Sequence, residues 1–87
     1  MSELKLRTVD VHWREIDGEV VGLEARQSTY LAANQSGSLL WRELAAGTTR
    51  EQLAGELVRA YGIEPDRAAA DVERFLDALT AQGLLDG

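Results

Sequence analysis

Few side chains in this chain could act on a substrate. His12 is the only histidine, there is no cysteine, and no second imidazole or thiolate exists to share a metal with it. Its neighbours Asp10 and Arg14 alternate with it along "VDVHWREI", which makes it a solvated residue on one face of a strand. Ser28, Ser36 and Ser38 have no base placed to activate them, so they read as turn and helix-start residues. Carboxylate pairs such as Glu64 with Asp66 and Asp71 with Glu73 sit on an acidic helix, and acid–base chemistry would also need a cleft that perturbs one of them. Gly18, Gly22 and Gly37 are too scattered for a phosphate loop. Trp13, Trp41 and Phe75 fall in phase with apolar stripes and belong to a core. No set of nucleophile, base and orienting group emerges, which points to a binding protein that needs no metal or cofactor.

Size and charge agree with that reading. At 87 residues the chain forms one domain (1–87), in which residues 1–8 read as a flexible lead-in. Net charge is −6, and residues 48–87 hold four Lys/Arg against eight Asp/Glu, so the helical half is the more acidic. That balance disfavours nucleic-acid backbones and anionic lipid alike. No apolar run is long enough to span a bilayer and no signal peptide opens the chain, so a cytoplasmic protein is expected.

The elements that would position a binding surface follow from periodicity. "VDVHWREI" and "EVVGLEA" alternate as strands around Asp17-Gly18. If Val21, Leu23 and Ala25 face the core, a three-residue loop, Ile16-Asp17-Gly18, pairs Trp13 with Val21, Val11 with Leu23 and Val9 with Ala25, with Gly18 left-handed. A two-residue loop would set Arg14 against Val21 and His12 against Leu23, mixing the faces. "STYLAA" is a short third strand after a polar turn at Arg26-Gln27-Ser28. From Asn34, a good N-cap, helical spacing runs to Gly47. Thr48 and Glu51 form a capping box for a second helix near 49–61, and Pro65 opens a third that ends at Gly83. The fold class is α+β: a three-stranded antiparallel sheet followed by a three-helix bundle.

"YLAANQSGSLLWRELAAGTTREQLAGELVRAYGI", followed by "AAADVERFLDALTAQGLL", resembles the PqqD-like family, the precursor-peptide recognition elements of ribosomally made, post-translationally modified peptides. The resemblance rests on Ala33, Asn34, Gly37 and Trp41, on Gly47-Thr48, on Asp71 in an Ala-rich helix, and on Gly83-Leu84-Leu85. Ala33 stands where the family usually has Leu, which implies a thinner core beneath the third strand. The resemblance implies a winged-helix-like domain that holds a leader peptide as an extra strand on the third strand, with side chains against the third helix. The leader site would then be Thr29, Tyr30, Leu31, Ala32 and Ala33 with Arg67, Ala68, Asp71, Val72, Arg74, Phe75 and Ala78. It further implies a partner set: a precursor peptide, then a leader peptidase and cyclase of a lasso-peptide pathway, or alternatively a radical S-adenosylmethionine enzyme. Physical reasoning allows the strand site independently, because the last strand of a meander is an edge with unpaired N–H and C=O groups. The competing readings are a third strand covered by the third helix, a winged helix on DNA, and a purely structural subunit.

Overall fold

A computed structural model describes residues 3–86. Met1, Ser2 and Gly87 lie outside the described residues. Eight elements follow in order: β1 (Lys5–Leu6), β2 (Val11–Ile16), β3 (Glu19–Glu24), β4 (Thr29–Ala32), α1 (Gln35–Ala46), α2 (Arg50–Tyr61), α3 (Pro65–Ala81) and β5 (Leu85–Asp86). The central antiparallel sheet has the order β2-β3-β4; α1 packs against one of its faces, and α2 and α3 pack on each other beyond α1, giving the expected α+β architecture. Within the lead-in read as flexible, Leu4 and Leu6 are core residues; β1 pairs antiparallel with β5, and Leu4 exchanges backbone bonds with Thr48. Two-residue strands are too short to leave a periodic signal, which is why neither was visible in the sequence.

The hairpin between β2 and β3 takes the register that the sequence argument rejected. Arg14 lies opposite Val21, His12 opposite Leu23 and Trp13 opposite Gly22, around a two-residue loop in which Asp17 and Gly18 have φ of 53° and 81°. Positive φ at both central residues defines the type I′ turn that matches strand twist. The error lay in the choice of core face. The side of β3 that faces the helices is Val20, Gly22 and Glu24, while Val21 and Leu23 look outward half-buried. Two local contacts make that face work. Gly22 leaves room for the Trp41 indole, since a Cβ there would lie 2.5 Å from Cη2. The carboxylate of Glu24, though buried, accepts the backbone N–H groups of Arg26 and Gln27 and so closes the β3–β4 turn, where Ser28 has a φ of 55°.

Trp41 is the largest fully buried side chain and sits among Leu40, Leu44, Leu53 and Val20. Trp13 packs edge-on against it at 5.9 Å between centroids, but remains 41% exposed and so caps the core from outside instead of joining it. Asn34 caps α1 as expected, its Oδ1 accepting from Gly37 N–H at 2.9 Å. The capping box of α2 is displaced by one residue, to Thr49 with Gln52, because Thr48 is drawn inward by its bridge to Leu4. Among the described residues no helix is long and apolar enough to cross a membrane.

Gly22→Ala is expected to lower stability by about 1–3 kcal/mol through collision with Trp41. Gly18→Val, whose side chain meets only open space, should cost about 1–2 kcal/mol from backbone strain alone. Urea denaturation checks both, and wild-type stability in either variant would contradict the geometry just described.

Candidate functional site

The outer edge of β4 follows from one bond. Ala33 N–H donates to Val20 C=O at 2.9 Å, and the β3–β4 register continues through Gly22 opposite Leu31 and Glu24 opposite Thr29. In an antiparallel ladder, hydrogen-bonded and non-bonded pairs alternate. Thr29, Leu31 and Ala33 therefore turn their N–H and C=O groups toward β3, whereas Tyr30 and Ala32 turn theirs away, toward the free side. Among the described residues no helix packs along that side: β4 runs beside β3, and Tyr30 and Ala32 are exposed. The reading in which α3 covers this strand does not hold.

Ser38 fixes the end of this edge. Its side chain is fully buried, and its hydroxyl accepts Val20 N–H at 2.7 Å while donating to Ala33 C=O at 3.3 Å. The hydroxyl is thus inserted into the last rung of the ladder, replacing one direct backbone bond and tying α1 to both strands. A serine read from sequence as a helix-start residue is a structural pin. Next to it, Ala33 and Gly37 are both small, so the strand end and the first turn of α1 approach closely; a Cβ at Gly37 would lie 3.2 Å from that of Ala33 and 3.1 Å from the Phe75 ring.

Beyond Asn34 a groove of about 830 Å³ opens between the start of α1, the end of α2 and the outer face of α3. Leu40, Leu57, Ile63 and Phe75 give it an apolar floor, with Tyr61 at one side. Arg67, Asp71 and Arg74 form its rim: Asp71 bonds Arg74, and its second oxygen lies 3.8 Å from Arg67 Nε. Two guanidinium groups share one carboxylate at spacings of three and four residues on an exposed helix face. Glu19 stands at the sheet side of the groove.

The structure thus brings Arg67, Asp71, Arg74 and Phe75 together, and leads β4 up to the mouth of their groove. Ala68 and Val72 do not belong there. Both are buried, on the stripe with Leu76 and Leu79 that packs against the core, so they support the wall without forming its surface. Ala33 is likewise buried, and Ala78 is half-buried outside the groove lining. Thr29 and Leu31 are half-buried on the helix side of the sheet, and the Thr29 hydroxyl is buried without a partner. Sequence reasoning missed Gln35, Ser36 and Gly37 of α1, Leu57 and Tyr61 at the end of α2, and Ile63 just beyond it. Tyr61, an aromatic beside Gly62 at a helix end, was the one available signal. Among the described residues no cluster of His, Asp or Glu could hold a metal ion.

The sequence profile of the family described as coenzyme PQQ synthesis protein D (PqqD) matches residues 19–85, most of the chain. The chain belongs to the PqqD family. The match takes in β3, β4 and all three helices, the elements that build both the edge and the groove, and leaves β1 and β2 outside it. Among solved structures, TbiB1 in complex with the TbiA(beta) leader peptide is similar to this PqqD-family chain, with a TM-score of 0.88 and 30% identity over 95% of both chains. Lasso peptide synthetase B1 complexed with the leader peptide shares the fold, with a TM-score of 0.86 and 23% identity over 99% of this chain and 100% of that one. No curated protein matches the chain.

Replacing Ser38 by Ala would leave Val20 N–H and Ala33 C=O facing each other without their bridge. The expected loss of stability is about 1–3 kcal/mol, and amide hydrogen exchange should quicken at Val20 and Ala33 before it does in the helices. Unchanged exchange at these two amides would show that the hydroxyl is dispensable.

Proposed function

We propose that this protein captures the leader segment of a ribosomally synthesised precursor peptide by β-strand addition to β4. The observation that carries the reading is the edge itself: the N–H and C=O groups of Tyr30 and Ala32 face the free side of a strand that leads into an apolar groove with a charged rim. An extended peptide would complete those backbone groups, which supplies affinity with little sequence information. Discrimination falls to side chains that enter the groove against Phe75 and pass between Arg67, Asp71 and Arg74. Support comes from TbiB1, a relative at 30% identity whose solved structure holds a leader peptide.

In this reading the backbone of residues 29–33 and the α3 residues Arg67, Asp71, Arg74 and Phe75 form the leader site, with Ala68 and Val72 behind it. The protein makes and breaks no covalent bond. It acts in the cytoplasm as an adaptor, presenting the bound precursor to the leader peptidase and cyclase of a lasso-peptide pathway. Winged-helix binding to DNA gains nothing from the structure: α2 carries Glu51 and Glu56 beside Arg50 and Arg59, and Arg50 and Arg59 are paired with Glu73 and Glu56.

The test uses a fluorescein-labelled leader of a lasso-peptide precursor, followed by anisotropy. Ordering a flexible peptide costs about 2–5 kcal/mol, so micromolar to nanomolar dissociation constants are expected. Phe75→Ala should weaken binding by about 1–3 kcal/mol. Ala32→Pro should weaken it further, because it deletes an N–H that faces the peptide and makes no bond to β3. Mass spectrometry should find the peptide unaltered after incubation. If both variants retain native circular dichroism and bind as tightly as the parent, the site is elsewhere; a mass change with pure protein would contradict the adaptor role.

A further inference from the structure

The two edges of the central sheet are built differently. β2 carries Arg14 and Glu15, and such charges on an edge discourage another strand from adding to it. β4, Thr29-Tyr30-Leu31-Ala32, has no charge and no proline, and no bulge interrupts its pairing with β3. Nothing in β4 guards against pairing with an identical strand.

We propose that in the absence of peptide two copies of this chain pair antiparallel through β4, about a two-fold axis at Leu31. The alternation of bonded pairs selects the register. Only Tyr30 and Ala32 present outward N–H and C=O groups, so both are satisfied when Tyr30 of one copy lies opposite Ala32 of the other, and the reverse. Leu31 then faces its own symmetry mate in a non-hydrogen-bonded pair, where side chains approach most closely. The large Tyr30 ring sits beside the small Ala32 on the outer face, so the register is also complementary in size. A register centred on either neighbour would bring two Tyr30 rings, or two Ala32 methyls, together and satisfy fewer backbone groups.

A four-residue edge buries far less than the about 1,200 Å² of a stable specific interface, so the dimer is transient and populates at about 0.1–1 mM. Each copy carries a net charge of −6, and none of that charge lies in β4. The opposing force is therefore long-range repulsion, which salt screens; association should strengthen as salt is raised. The consequence is competition: a second copy and an extended peptide need the same N–H and C=O groups. The inference does not depend on peptide capture, and it is tested with the protein alone.

Sedimentation equilibrium on the full chain should show the weight-average mass rising from 9.5 kDa toward twice that value with concentration, and more so at high salt. Ala32→Pro should abolish the rise. Because the chain has no cysteine, single-cysteine variants report the register independently. Under mild oxidation Leu31→Cys should form an intermolecular disulfide readily, since facing residues across such a pair suit disulfide geometry. Ile16→Cys, exposed on the far edge strand, should cross-link only at the slow rate of random collision. A chain that stays monomeric across this range, a dimer that survives in folded Ala32→Pro, or equal cross-linking of the two cysteine variants would each overturn the proposal.

Discussion

The buried Ser38 hydroxyl is the contact through which this small fold holds its working edge in place. By bridging Val20 N–H and Ala33 C=O it locks the end of β4 to β3 and to the first turn of α1 with a single side chain. Asn34 caps the helix one turn earlier, and Gly37 lets Phe75 of α3 approach the same turn. The strand edge, the helix start and the groove wall are consequently referred to one point. Without that pin β4 would be four residues held by β3 alone, and a strand so short is marginal as a template.

Division of labour between backbone and side chains follows from this arrangement. The edge offers hydrogen-bonding groups that any extended chain could satisfy, and the groove offers an apolar floor and a rim in which two arginines share Asp71. Exposed ion pairs of that kind add little stability, so the fold does not depend on this rim. The elements that supply the edge and the groove, β3, β4 and the three helices, all lie within the region matched by the PqqD family.

Much of the fold was legible because its long elements obey simple periods. The three helices, the Asn34 cap, Pro65 at the start of α3 and Gly47 at the end of α1 all follow from local rules. The hairpin register was not legible from apolar pattern, because the core face of β3 is Val20, Gly22 and Glu24. Two of those three look like solvent-facing residues until Trp41 and the turn amides of Arg26 and Gln27 are in place. Of the site, the α3 residues could be reached from helical spacing, and so could β4 as an edge. The contributions of α1 and the end of α2 could not, since they depend on how closely Gly37 and Phe75 pack, which is a tertiary fact. Ala68 and Val72 were one helical face away from the groove, an error of orientation along a stripe that runs continuously from core to surface.

Residue-resolved amide hydrogen exchange, with and without leader peptide in dilute protein, bears most directly on the central claim. The account predicts an alternating response: Tyr30 and Ala32 exchange quickly in the free protein and become protected when peptide is added, whereas Leu31 and Ala33, already bonded to β3, change little. Peptide binding that leaves Tyr30 and Ala32 in fast exchange would contradict strand addition at this edge.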